Sequence, residues 1–126
     1  MVSYHGVYIN LDRSPSRRIA MDEQLAALGL KDRYSRFGAI DGGTLPPSRS
    51  ALRPGESGAF FSHMRALEAA RSSGDAAVHI MEDDALLSEH VRPVIEDAIG
   101  AGLFQRFDIL FTDLLAPPHV GMLKGL

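Results

Sequence analysis

Apolar residues along the first third of the chain switch from a strand pattern to a helical one. The stretch "YHGVYINLD", residues 4–12, has an apolar run that stops at polar positions, which is typical of a strand. Apolar residues then recur at helical spacing up to Leu28, with Pro15 at the first helical position and Gly29 placed to supply a left-handed cap. We therefore predict a strand followed by a helix over residues 15–28.

The middle of the chain repeats this alternation. "YSRFGAI" predicts a short second strand over residues 34–40. Residues 41–58 are rich in Gly, Pro and Ser and lack clear periodicity; segments of this length are usually functional or disordered. Helical spacing resumes over residues 56–72. The side chains predicted to mark the apolar face of this helix are Phe60, Met64 and Leu67.

The last third contains two further strand patterns separated by a helix. "AVHIM" predicts a buried strand over residues 77–81, and "FDILFTDLL" predicts a final strand over residues 107–115. Between them lies a helix around residues 93–99, starting nearer Arg92 than Ser88 because proline fits best in a first turn. The side chains predicted for its inner face are Val94, Ile95 and Ala98.

Strands and helices therefore alternate from one end of the sequence to the other. This order predicts an α/β fold with a mostly parallel sheet flanked by helices, in one domain over residues 1–126. In such sheets ligands bind outside the carboxyl ends of the strands. "NLDRS", "AIDGG" and "MEDDA" each lie just past a predicted strand, so we expect their polar groups to converge on one crevice.

Composition narrows the class of protein. The net charge of −3 argues against a general nucleic-acid or membrane-surface binder, and no apolar run approaches the length that spans a bilayer. The absence of cysteine excludes disulfides and thiolate metal sites. Arginine suits phosphate recognition, and most of the 13 basic residues are arginine. With no signal-peptide pattern at its start, the sequence predicts a cytoplasmic protein.

Three consecutive acids, Glu82, Asp83 and Asp84, follow the third strand pattern. If the strand continues through them, Glu82 and Asp84 share one face and repel each other unless a cation lies between them. Mg²⁺ or Mn²⁺ would satisfy such oxygen ligands and leave positions for phosphate oxygens. Alternatively, the acids begin a solvated loop and one of them caps the next helix. The spacing alone leaves both interpretations open.

Basic residues surround the start of the first predicted helix. Arg13, Arg17 and Arg18 would add bidentate contacts to an anion held by the backbone N–H groups there. Solvated arginines at an ordinary helix start are the commoner explanation of this pattern. His63, in "FFSHMRAL", is likewise more often a structural residue than a ligand or a base.

Taken together, "VYINLDRSPSRRIAMDEQLAALGL", "AIDGG", "LRPGESGAFFSHMRALEAA" and "AAVHIMEDDALL" resemble glycosyltransferase family 25. This family includes galactosyltransferases of lipopolysaccharide and lipooligosaccharide and the related collagen galactosyltransferases. The blocks occur in the family's order across most of the chain, from about residue 7 to residue 87, with Ala59 where the family often has Cys or another small residue. The resemblance implies a GT-A-like fold, a nucleotide-sugar donor (a UDP-sugar) and a divalent cation, usually Mn²⁺.

The resemblance also implies roles for residues that match the family's motifs. Glu82, Asp83 and Asp84 correspond to its metal-binding acids, and Asp84 is the first choice for direct ligation. The residues expected to line the nucleotide pocket or contact the diphosphate, the uridine or the sugar are Asn10, Leu11, Asp12, Arg13, Arg17, Arg18, Asp41 and Gly42.

Two residues are candidates for catalytic roles. His63 matches the family's Ser-His pair, without an assigned chemical role. Asp113, near the end of the last predicted strand, is the candidate general base for an acceptor hydroxyl.

Catalytic domains of the family are longer than this chain, so the resemblance implies an N-terminal portion, truncated at its C-terminus. An active transferase would act on a saccharide acceptor such as lipopolysaccharide, as a cytoplasmic protein peripheral to the inner membrane. A shortened, non-catalytic protein that binds nucleotide or metal, or acts only within an oligomer, is the alternative. An uncovered last strand would expose apolar area, which predicts homo-oligomers formed through the C-terminal region.

Overall fold

The computed structural model describes residues 3–46 and 51–112. Three strands and three longer helices alternate along them, as the sequence predicts. They are β1 (Tyr4–Asn10), α1 (Pro15–Ala27), β2 (Tyr34–Gly38), α2 (Pro54–Ala70), β3 (Ala77–Glu82) and α3 (Val91–Gly100). Two 3₁₀ helices occupy Gly42–Thr44 and Leu103–Gln105.

The three strands form one parallel sheet in the order β2-β1-β3, which confirms the predicted α/β fold. The central strand β1 is the most buried of the three. Its Gly6 lies opposite Tyr34 of β2 on one side and His79 of β3 on the other. A Cβ atom on Gly6 would overlap the Tyr34 ring, so a glycine is needed where this ring crosses the central strand.

Helices α1 and α3 cover one face of the sheet. Met21 and Leu25 of α1 and Ile95 of α3 are buried in one cluster with Tyr8 and Met81 from the strands. Burying a side chain of this size contributes roughly 1.5–3 kcal/mol, so this cluster is the main source of the domain's stability.

Helix α2 contacts β1 and β3 but takes no part in that cluster. Because side chains alternate along a strand, Val7 and Ile9 point to the sheet face opposite Tyr8, and both are buried. Ala66 of α2 is buried as well. Helix α2 therefore covers the second face of the sheet.

The sequence predicts helix α2 correctly but assigns the wrong side of it to the interior. Its buried side is formed by small residues, whereas the predicted apolar side lies in solvent. The buried residues are Gly58, Ser62 and Ala66, and the exposed ones include Phe60, Met64 and Leu67. Close approach of the helix to the segment after β2 leaves no room for large side chains, which explains the inversion.

Three further predictions need correction. Helix α3 begins at Val91 and buries Ile95, as expected, but Val94 is exposed. Residues 41–58 are less irregular than predicted, since they contain a 3₁₀ helix and the first turn of α2, whose Pro-Gly start concealed the helix. Residues 107–112 form no strand, and residues 113–115 of the predicted last strand lie outside the described residues. Among the described residues, the helices are too short or too polar to cross a bilayer.

Candidate functional site

A cleft of about 370 Å³ opens at the carboxyl ends of the three strands. The segments that follow β1, β2 and β3 meet there with the first three turns of α2, which confirms the convergence that the topology predicts. Most of the candidate residues lie in its wall. They are Leu11, Arg13, Arg17, Asp41, Gly42, His63, Glu82 and Asp83.

Asn10 lies beneath the cleft at the end of β1 and is only 1% exposed. Its side-chain amide donates to the Ser14 carbonyl at 3.0 Å and to Asp83 Oδ2 at 2.8 Å. Its Oδ1 accepts a hydrogen bond of 2.9 Å from Arg36 Nε. A buried amide with all of these partners fixes the start of α1 and the end of β3 in relation to β1. Asn10 therefore positions the acids instead of lining the cleft.

Asp83 is the best-anchored of the three consecutive acids. Its side chain is 10% exposed, and its second oxygen accepts a hydrogen bond of 3.3 Å from Arg17, whose own side chain is 59% exposed. β3 ends at Glu82, so the strand alternation that would pair Glu82 with Asp84 does not extend across the three acids. Glu82 and Asp83 line the cleft, whereas Asp84 is outside its lining.

A second ion pair spans the cleft between the segments after β1 and β2. Arg13 donates to Asp41 Oδ2 at 2.7 Å, and Asp41 Oδ1 accepts from the Gly43 N–H at 3.0 Å. Because the Arg13 side chain is 69% exposed, this pair contributes little to stability and its partners are free to exchange. Both cleft arginines thus lie where a bound anion can draw them away from their carboxylates.

Glycines and a serine hold α2 against the segment after β2. A Cβ atom on Gly42 would overlap the Pro54 carbonyl, and one on Gly58 would lie 2.7 Å from the Ile40 carbonyl oxygen. The buried Ser62 hydroxyl donates to the Gly58 carbonyl at 2.6 Å and accepts from the Ile40 N–H at 2.8 Å. These contacts explain why the sequence has glycine in "IDGG" and serine in "FFSHM": they bring α2 to the cleft.

His63, the residue after Ser62, lies in the cleft wall. Its Nδ1 is 2.8 Å from the Ala59 carbonyl oxygen, one turn earlier in α2. Because a carbonyl only accepts hydrogen bonds, Nδ1 carries a proton, and in the tautomer with this single proton Nε2 is an acceptor.

Sequence reasoning missed Arg36, which is central to the site. Arg36 is partly buried in β2, and its guanidinium donates to two oxygens of Asn10, the side-chain Oδ1 and the backbone carbonyl oxygen. It also donates to Asp12 Oδ1 at 2.6 Å, so Asp12 pairs with Arg36 and does not line the cleft. An arginine two residues before the end of a predicted strand of the sheet was the signal that could have identified it.

Two other candidates are placed differently or not described. Arg18 is exposed on α1 and is not among the residues that line the cleft. Asp113 lies outside the described residues, so its candidacy as a base stays a prediction.

The charged residues in the cleft wall are two arginines and three acids, Asp41, Glu82 and Asp83, which give −1 while His63 is neutral. Within residues 3–46 and 51–112, no three His, Asp or Glu side chains are grouped so that they could hold a metal by themselves. Mg²⁺-type sites commonly use one or two carboxylates and take their remaining ligands from substrate phosphates and water. Glu82 and Asp83 fit a cation that binds together with a diphosphate.

The sequence matches one known protein family. Comparison with curated proteins gave no significant match, and comparison with solved structures gave none either. The family model described as "Glycosyltransferase family 25 (LPS biosynthesis protein)" matches residues 5–111, which include every cleft residue described above. The chain belongs to glycosyltransferase family 25, a family of lipopolysaccharide-biosynthesis glycosyltransferases.

Proposed function

We propose that this protein transfers a sugar, such as galactose, from a UDP-sugar to a saccharide of a cell-surface glycan such as lipopolysaccharide. One observation carries the proposal: the arginines after β1 and the acids after β3 line a single cleft at the carboxyl edge of the sheet. A diphosphate needs cationic donors, and the two cleft arginines are exposed enough to provide them.

Charge balance supports a cation in the same site. The cleft wall already carries −1, so a nucleoside diphosphate would add negative charge to a negative surface. A bound Mn²⁺ or Mg²⁺ would neutralise the charge that develops on the diphosphate as the sugar departs. Glu82 and Asp83 are the acids that would hold the cation, and Asp84 stays the alternative ligand that the family's motif suggests.

The remaining residues of the cleft would orient the donor. Arg13 and Arg17 would exchange their carboxylate partners for phosphate oxygens, which costs little because both pairs are exposed on the arginine side. Asp41, released from Arg13, would then be available to a ribose or sugar hydroxyl. Leu11 and Gly42 would provide the walls against which the base or the sugar packs.

Calorimetric titration with UDP, with and without Mn²⁺, tests the donor site. We expect binding that requires Mn²⁺, and we expect Glu82→Gln to weaken it roughly tenfold or more. The same titration of Asp84→Asn decides whether that residue also ligates the cation. Glu23→Gln, which removes an equal charge from the exposed side of α1, should leave the affinity unchanged. Absence of UDP binding under both conditions would refute the proposal.

A non-catalytic protein that binds nucleotide without transferring sugar is the second candidate. It is favoured by the described sheet, in which β3 is an edge strand and residues 107–112 add no fourth strand. Mn²⁺-dependent UDP binding without release of UDP from UDP-galactose or UDP-glucose, in the presence of a lipopolysaccharide acceptor, would identify this case.

A further inference from the structure

The position of His63 is fixed by the residue before it. The buried Ser62 hydroxyl is bonded to Gly58 within α2 and to Ile40 beyond β2, at 2.6 and 2.8 Å. This turn of α2 is therefore held against the segment that forms one wall of the cleft. His63 follows on the same turn and enters the cleft wall with Asp41 and Asp83.

The ring of His63 is held in one tautomer. Nδ1–H donates to the Ala59 carbonyl at 2.8 Å, which leaves the Nε2 lone pair for another proton. Among the described residues no hydrogen-bond partner of Nε2 is found. A neutral imidazole that is oriented through one nitrogen and open at the other is the arrangement that general bases require.

The other acceptors of the cleft are mostly occupied. Asp83 accepts from Asn10 and Arg17, and Asp41 accepts from Arg13 and the Gly43 N–H. Glu82 has a carboxylate in the cleft wall without a hydrogen bond to the described residues, but it is the acid best placed for the cation. His63 is left as the cleft residue with an uncommitted basic atom.

We propose that His63 is the general base of the transfer, with Nε2 accepting the proton of the attacking acceptor hydroxyl; this rests on the function proposed above. The hydroxyl oxygen forms a bond to the anomeric carbon of the donor sugar as its proton passes to Nε2. The bond from that carbon to the phosphate oxygen breaks, and the electron pair leaves with the nucleoside diphosphate.

The charges around the ring suit this role. Asp41, the cleft carboxylate that does not hold the cation, stabilises the imidazolium that forms, while Arg13 and Arg17 oppose it until they turn to the diphosphate. Product release then returns the ring to its neutral form by loss of the proton to solvent. The same proton could instead be taken by Asp113, so the test must compare the two residues.

Two substitutions distinguish the roles of the two ring nitrogens of His63. In His63→Asn the amide nitrogen stands near the position of Nδ1 and keeps a donor for the Ala59 carbonyl, but nothing replaces Nε2. In His63→Gly both are lost, and added imidazole can restore a base. His90→Asn, an exposed histidine before α3, is the matched control.

The experiment measures UDP affinity with Mn²⁺ and the turnover of UDP-galactose and UDP-glucose with lipopolysaccharide as acceptor. We expect His63→Asn to keep the UDP affinity and KM within about twofold while kcat falls roughly 10²- to 10⁴-fold, and imidazole to restore part of the rate in His63→Gly. His90→Asn should retain the wild-type kcat, and Asp113→Asn is measured beside it as the variant of the competing candidate base.

Several results would overturn the inference. They are an unchanged kcat in His63→Asn, a loss confined to UDP affinity, a loss of kcat only in Asp113→Asn, or wild-type protein that binds UDP without turnover. Failure of the proposed function would be seen in a separate measurement, because the wild-type protein would then not bind UDP at all.

Discussion

Asn10, at the end of the central strand, donates a hydrogen bond of 2.8 Å to Asp83, which lies 73 residues further along the chain. The bond joins the segment after β1 to the acids after β3, the two parts of the chain that supply the basic and the acidic sides of the cleft. Because the same amide also holds the Ser14 carbonyl and Arg36, one buried residue sets the relative position of both sides.

Asn10→Ala should therefore reduce both stability and ligand affinity. The substitution removes one buried hydrogen-bond partner from Arg36 and one from Asp83, and unsatisfied groups of this kind cost about 1–3 kcal/mol. Urea unfolding measures the free-energy change, and titration with UDP and Mn²⁺ measures the affinity. Gln105→Ala, at an exposed polar position, is the control. A stability equal to that of the control would show that Asn10 does not carry this network.

Gly42→Ala should be destabilising, whereas Gly55→Ala should not. A methyl group on Gly42 would overlap the Pro54 carbonyl and force α2 away from the segment after β2, at a cost of roughly 1–3 kcal/mol. Gly55, thirteen positions later in the first turn of α2, has open space around its Cα, so alanine there should be neutral or stabilise by about 0.5–1 kcal/mol. Thermal unfolding of the two variants compares them, and similar melting temperatures would contradict the contact.

Two leucines test which helix faces form the core. Leu25 of α1 is 2% exposed and Leu67 of α2 is 45% exposed. Leu25→Ala should lower the free energy of unfolding by about 2–5 kcal/mol, because it leaves a cavity in the main cluster. Leu67→Ala should change it by less than about 0.5 kcal/mol, as is usual for surface positions. Equal losses in denaturant unfolding would mean that α2 buries the face that the sequence pattern suggests.

His79 should make the stability depend on pH in the weakly acidic range. Burial lowers the pKa of His79 below its ordinary value, so the unfolded chain binds this proton more readily than the folded protein does. The stability that the folded protein gains from a neutral His79 ring is fully present above pH about 6.5, and it is lost as the pH falls through the lower folded-state pKa. The wild-type free energy of unfolding should thus decline more steeply than that of His79→Gln between pH 7 and 5, a window of about two units around the ordinary histidine value. Parallel curves would rule His79 out as the cause.

Self-association through the C-terminal region stays a prediction. Ile109 and Phe111, near the end of the described residues, are 69% and 90% exposed. Light scattering at increasing protein concentration should report a dimer or a larger species, and Ile109→Ser with Phe111→Ser should shift it toward the monomer. Phe60→Ser, on the exposed side of α2, is the comparison, since a shift in that variant alone would place the contact on α2 instead.

Much of the fold could be predicted because it depends on local patterns. Pro15 and Gly29 bracket α1 within a residue or two, and the alternation of strands with helices implies a parallel sheet with its ligand site at the carboxyl edge. The prediction of a final strand was wrong over residues 107–112. An apolar run of high β-propensity forms a strand only where a partner strand lies beside it, and the sequence pattern does not show whether one does.

The sequence by itself determined the elements, their order, and the family's blocks at the strand ends, because each is encoded within a few neighbouring residues. Only the tertiary structure decided that α2 turns Ser62 and Ala66 inward, since the space between helix and sheet selects small side chains over large ones. It also decided that Arg36 and Asn10 fix Asp83, while Asp12 turns away from the cleft to Arg36. Such contacts join residues that are far apart in the chain, and a hydrogen bond forms only where folding brings its two groups within reach.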